Sequence, residues 1–172
     1  MSVQLSDGQY PNRMALSLWN GPASISLPER DATMEAETIL HEYTHAMVQR
    51  LVGHGAGVED SGQPFGLNEG WASFYLLALL SQSQDDPGGC YAFAACTTYL
   101  WLKETTNRLD QNYYFGLTLY PYCTNMTNNP LTLKDIDPAQ VSLHAGIPCN
   151  PVYTNPSPSI SYLMNLWAVT LW

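Results

Sequence analysis

His41-Glu42-Tyr43-Thr44-His45 sets two imidazoles four residues apart, with a carboxylate directly after the first. On a helix, side chains at i and i+4 stand one above the other, so both rings can reach a single ion. Glu42 can then hold and deprotonate a water bound to that ion. This is the HExxH pattern of zinc hydrolases. The competing reading is a pair of satisfied core histidines on an amphipathic helix. It loses ground because a further donor follows.

A catalytic zinc needs three protein ligands and an open position for water. Glu69, in Leu67-Asn68-Glu69-Gly70-Trp71-Ala72-Ser73-Phe74, lies 24 residues beyond His45. That length lets one helix end, a loop return, and a second helix present a carboxylate. The one-helix alternative, HExxHxxGxxH, fails: Val48 stands where its glycine belongs and Leu51 where its third histidine belongs. His41, His45 and Glu69 are therefore the expected metal ligands, and Glu42 the expected catalytic base.

These residues need two helices. The first is expected from Asp31, as N-cap, to Val52, with Glu35 and Glu37 favouring the positive helix start and Gly53 ending it. The row Met34, Thr38, His41, His45, Val48, Val52 is mostly apolar and turns the histidines inward. Residues 53–67 read as a glycine-rich loop. Asn68 reads as the cap of a second helix running to about Ser81, with Glu69, Ser73, Leu76 and Leu80 on one face. Residues 13–19 alternate weakly, as a short strand would. A helix is expected from Tyr91 to Leu109, a loop-rich stretch from Tyr120 to Pro158, and a last helix from about Ser159.

The 172 residues make one domain's worth, and 45% hydrophobic content suffices for a core. With 15 acidic against 6 basic residues the net charge is −9, and no basic run exists, so nucleic acid and anionic membrane are poor partners. Charged residues form only 12%, which points to a secreted hydrolase. Cys90, Cys96, Cys123 and Cys149 show no CxxC spacing. Two disulfides, with three possible connectivities, or buried thiols are the readings left open. Asn125-Met126-Thr127 is a glycosylation sequon. His54 and His144 read as loop or surface residues. No apolar stretch is long enough to span a bilayer, and no signal peptide is visible. The last residues, Tyr162 to Trp172, stop in mid-pattern, so the chain reads as an internal piece of a longer secreted protein, expected to aggregate alone or to need a partner segment in trans.

Together these residues resemble the fungalysin family of secreted fungal zinc metallopeptidases. His41 to His45 followed by Arg50-Leu51 and a glycine-rich loop is similar to the family's first zinc helix. Glu69-Gly70-Trp71 with Phe74 is similar to its third-ligand helix. Tyr120-Pro121-Tyr122, Thr124-Asn125-Met126, Asn129-Pro130-Leu131-Thr132 and Trp167-Ala168 with Leu171-Trp172 resemble downstream segments, and Asp7-Gly8 through Trp19 resembles the strand region before the site.

The resemblance implies a mainly α, thermolysin-like catalytic region, incomplete here, with residues 1–172 forming a partial metallopeptidase domain. It implies a secreted, zymogen-derived endopeptidase, monomeric when complete, using one zinc ion and acting on polypeptides, with the propeptide of the precursor as a further partner. Three departures from the family pattern stand out. An aspartate that would orient the first zinc histidine is replaced by Ser73. A histidine supporting the tetrahedral intermediate is replaced by Ser161, followed by Met164-Asn165 in place of Gly-Glu. A basic pair before Tyr120 is replaced by Thr118-Leu119. A catalytically weak or inactive zinc-binding homologue, acting as a secreted binding protein, is the alternative function. A zinc aminopeptidase lacks the upstream acidic motif that a substrate's amino group would need.

Overall fold

Short antiparallel pairs come first: β1 (Gln4–Leu5) against β2 (Met14–Ala15), and β3 (Leu18–Trp19) against β4 (Arg30–Asp31). The computed structural model describes residues 4–5, 14–15, 18–19, 30–52, 62–96, 100–103, 108–137, 139, 144–151 and 158–172. Among them the fold is mainly helical. Asp31 does not cap a helix, because its backbone is taken by the ladder to Leu18. A 3-10 turn, Ala32–Met34, follows, and α1 runs over Ala36–Leu51 with Glu35 at its N-cap. Glu35 gives the helix no side-chain cap. Its carboxylate instead accepts the Thr38 hydroxyl at 2.9 Å and the Cys96 amide at 2.8 Å. At the other end the Val52 amide bonds the Val48 carbonyl at 2.8 Å, and Val52 is already extended. Gly53 lies outside the described residues.

α1 buries a polar face. Thr38, His41, Glu42, Thr44 and His45 are buried, while Met34, Tyr43, Leu51 and Val52 are exposed. The expected row therefore points inward only in its middle. A helix that spends its buried face on two imidazoles and a carboxylate must be held by its partners, not by its own apolar content.

α2, Gly62–Leu80, starts six residues before the expected cap at Asn68. Pro64 sits in its first turn, where a missing amide hydrogen costs nothing. Gly66, expected in the loop, and Gly70, expected in the helix, share one packing role. A Cβ on Gly66 would meet the Leu163 side chain at 3.0 Å, and one on Gly70 would meet Trp167 Cβ at 2.8 Å. These glycines let α3, Pro158–Leu171, lie closely against α2, which is its most extensive helix–helix contact. Packing overrides their poor helix propensity.

The helix expected over residues 91–109 is absent from the described residues. Tyr91 forms an antiparallel bridge to Tyr122 and Phe93 a parallel bridge to Gly116. β5 (Leu100–Lys103) then pairs with β6 (Arg108–Gln111), Leu100 opposite Gln111 and Lys103 opposite Arg108. Aromatic and threonine-rich sequence favours a pleated surface over a helix, and here it outweighed the alanines. Residues 97–99 and 104–107 lie outside the described residues.

Two clusters make the core. One joins α2 and α3 to the 91–94 and 122 segments through Leu76, Leu77, Phe93, Ala94, Tyr122 and Ala168. The other holds Leu119, Tyr120, Leu131 and Tyr162. The loop-rich stretch owes its order to asparagine amides that replace ladder hydrogen bonds. Asn150 Nδ2 donates to the Gly116 and Thr118 carbonyls at 3.0 and 2.8 Å, and Asn165 Nδ2 donates to the Tyr120 carbonyl at 2.7 Å. Asn129 Nδ2 in turn donates to Asn165 Oδ1 at 2.5 Å, tying α3 to the 120–131 segment. Each of the two cysteine readings holds in part: Cys90 and Cys123 form a disulfide, and Cys96 and Cys149 are thiols.

Candidate metal centre

α1 and α2 pack together so that three donor atoms converge. His41 Nε2 and His45 Nε2 lie 3.0 Å apart, as helical i and i+4 stacking dictates. Glu69, in the middle of α2, reaches across with Oε2 3.0 Å from His41 Nε2 and Oε1 3.3 Å from His45 Nε2. The ligand atoms of the three all lie within 4.8 Å of one another. A tetrahedral zinc with bonds near 2.0–2.1 Å spaces its ligands by roughly 3.3 Å. The donor set therefore fits such an ion in both type and spacing, and the residues named from spacing are the ones brought together.

Electrostatics follow from burial. Desolvation lowers His41, leaving a neutral ring with a lone pair to give, although Glu69 opposes that shift. Desolvation also pulls on His45, but its bonds and charge attraction to Glu69, with Asn68 and Glu42 adding, raise it overall. Burial would raise Glu69, yet the two histidines hold it down at about 2. Glu42 has no such partner: desolvation pushes it up to about 7, with His45 opposing and Glu69 reinforcing the shift. One carboxylate of the site is thus kept ionised, and the other has a raised proton affinity.

The outer surroundings are thinner. His41 Nδ1 and Ser73 Oγ are both buried without a hydrogen-bond partner among the described residues. Ser73, where the resemblance led one to expect an aspartate, is buried on α2 one turn after Glu69. Ser161 is half-buried near the start of α3, a helix that meets α2 through Leu163 and Trp167. Thr118 and Leu119 are fully buried, and Asn165 bonds into the core. Asn125 is exposed, its Oδ1 accepting the Thr127 amide at 2.9 Å. His144 is half-exposed and bonds Asp135 Oδ1 at 2.8 Å; His54 lies outside the described residues. Sequence reasoning missed Phe93, whose ring stacks on His41 with centroids 4.6 Å apart and planes 18° apart. No motif marks such a contact; it depends on how residues 91–96 fold.

Two histidines from an HExxH helix and a glutamate from the next define a metallopeptidase-type donor set. The family model described as fungalysin metallopeptidase matches residues 2–153. The chain belongs to that family. Among its relatives is extracellular metalloproteinase 4 of Trichophyton tonsurans, 35% identical over 144 residues, covering 81% of this chain and 19% of that protein. Extracellular metalloproteinase mep of Aspergillus terreus is 35% identical over 133 residues, covering 76% and 18%. Extracellular metalloproteinase 1 of Phaeosphaeria nodorum is 31% identical over 133 residues, covering 76% and 18%. The chain spans about a fifth of the length of these relatives. Among the described residues, no helix is long and apolar enough to cross a membrane.

Proposed function

We propose that the chain is the metal-binding part of a secreted zinc metalloendopeptidase that hydrolyses internal bonds of polypeptides. The convergence of His41, His45 and Glu69 across α1 and α2 carries this reading. His41 and His45 would hold one zinc ion through Nε2 and Glu69 through a carboxylate oxygen. Zinc supplies Lewis acidity, polarising a carbonyl and acidifying a water. Glu42 takes the proton of the attacking water and returns it to the leaving amine. Burial suits it to that role, because a base with a pKa near the working pH is both unprotonated often enough and basic enough to act. Glu69, with its carboxylate committed to the ion, would not compete for that proton. Export fits the names of the relatives, each an extracellular metalloproteinase.

A second reading, a zinc-binding homologue with little turnover, is favoured by one observation: His41 Nδ1 is buried with no acceptor among the described residues. A ligating histidine normally donates that proton to a fixed partner, and loss of the partner weakens metal binding or activity by about 10–100-fold. The test is cleavage of an unfolded polypeptide by the purified protein before chelation, after it, and after zinc is restored. Cleavage that stops with the chelator and returns with zinc supports the peptidase. Stoichiometric zinc without cleavage supports the second reading, and cleavage indifferent to the chelator contradicts both.

A further inference from the structure

We propose that Phe93 is a positioning residue for His41: its ring face fixes the plane of an imidazole that has no hydrogen bond at Nδ1. The proposal rests on the reading of His41 as a metal ligand. The torsion that turns a histidine ring is broad, so a ring must be locked by a hydrogen bond on its second nitrogen or by packing. The hydrogen bond is missing from the described residues. The packing is present: Phe93, itself buried, lies on the His41 ring with centroids 4.6 Å apart and planes 18° apart. His45 meets the same ring edge-on at 4.6 Å and 86°. A face contact sets the plane of the ring. The choice between its two flipped forms falls to Nε2, which faces Glu69.

The segment bearing Phe93 is tied down on both sides. Glu37, one turn before His41 on α1, accepts the Ala94 amide at 2.7 Å, and Glu35 accepts the Cys96 amide at 2.8 Å. Ala94 adopts φ +55, a left-handed conformation that a residue with a side chain takes only when its surroundings impose it. On the other side the Phe93 carbonyl accepts the Leu117 amide at 2.7 Å, and a Cβ on Gly116 would fall 2.0 Å from that same oxygen. Tyr91 and Tyr122 exchange both backbone bonds, at 3.0 and 2.8 Å, next to the Cys90–Cys123 disulfide. The helix that carries the metal ligands thus holds, through its N-cap and first-turn glutamates, the loop that orients one of them.

The experiment is a zinc titration of the metal-free protein against a competing chromophoric chelator, for the parent, Phe93→Leu, His41→Ala and Leu119→Ala. Leu119 lies in the other core cluster and controls for general destabilisation. Phe93→Leu should weaken zinc binding about 10–100-fold, as loss of an orienting partner does. Leu119→Ala should lower the melting temperature and leave zinc affinity unchanged. A folded Phe93→Leu with parental affinity overturns the proposal. If His41→Ala binds zinc like the parent, the metal reading itself is wrong, a result distinct from any failure of Phe93. Should Phe93→Leu not fold, the His41 ring protons of the metal-free parent decide by NMR. Upfield displacement by the Phe93 ring current supports the stack, and shifts like those of an unstructured histidine overturn it.

Discussion

Glu69 Oε2 stands 3.0 Å from His41 Nε2, across the interface between the two helices that the metal site needs. The contact joins residues 28 apart in sequence and makes Glu69 a donor in the same group as both histidines. Glu69→Ala should therefore weaken zinc binding by at least about 100-fold, measured by chelator competition, since zinc would lose one of three protein ligands. Zinc added to the parent at 100 times its dissociation constant should stabilise the fold by about 2.7 kcal/mol. The same addition to the variant should do much less. Undiminished binding by Glu69→Ala would remove Glu69 from the site.

Ser73 Oγ and His41 Nδ1 are two buried polar atoms on facing helices, each without a partner among the described residues. Ser73→Asp should supply an acceptor and tighten zinc binding by about 10–100-fold. A loss of zinc affinity in a folded Ser73→Asp variant would show that the carboxylate does not serve His41.

The α2–α3 contact gives a stability prediction. Gly70→Ala places a Cβ 2.8 Å from Trp167 Cβ and 3.0 Å from the Met164 carbonyl oxygen. Overpacking of this kind costs about 1–3 kcal/mol, readable as a lower denaturation midpoint with an unchanged slope. An unchanged midpoint would mean that α3 shifts without cost.

Much of the site was legible because metal ligation demands particular residue types at helical spacing. His41, Glu42, His45 and Glu69 could be named from offsets alone, and so could the two helices that carry them. The helix starts were not. Asp31 looks like a cap but spends its backbone in a strand pair, and Gly66 looks like a loop residue until Leu163 is seen against it. Periodicity cannot report a partner element that is distant in sequence. The Tyr91–Leu109 segment failed for the same reason: its bridges to Gly116 and Tyr122 are tertiary contacts.

Asp135 predicts an acid dependence. Burial would raise it, but the Thr132 hydroxyl and amide and the nearby His144 hold it below its usual value. With the folded pKa depressed, the unfolded chain binds the proton more tightly. The associated stability is present above the unfolded value of about 3.9 and is lost as pH falls through the folded one. Asp135→Asn should cost about 1–3 kcal/mol at pH 7, since hydrogen bonds to a charged acceptor are lost. The gap between parent and variant should close below about pH 4, followed by denaturant melts across pH. A gap independent of pH would assign the cost to packing.

The central claim separates holding the ion from moving the proton, and Glu42→Gln tests it most directly. Glu42 is adjacent to a ligand in sequence, stays buried, and stands outside the group formed by His41, His45 and Glu69. Zinc content and the rate of peptide-bond hydrolysis should be measured on the same preparations of parent and variant. The account predicts one zinc per chain in both, with hydrolysis in the variant reduced by about 100-fold or more, the scale of a lost general base. A variant that cleaves as fast as the parent, or that loses its zinc, would contradict it.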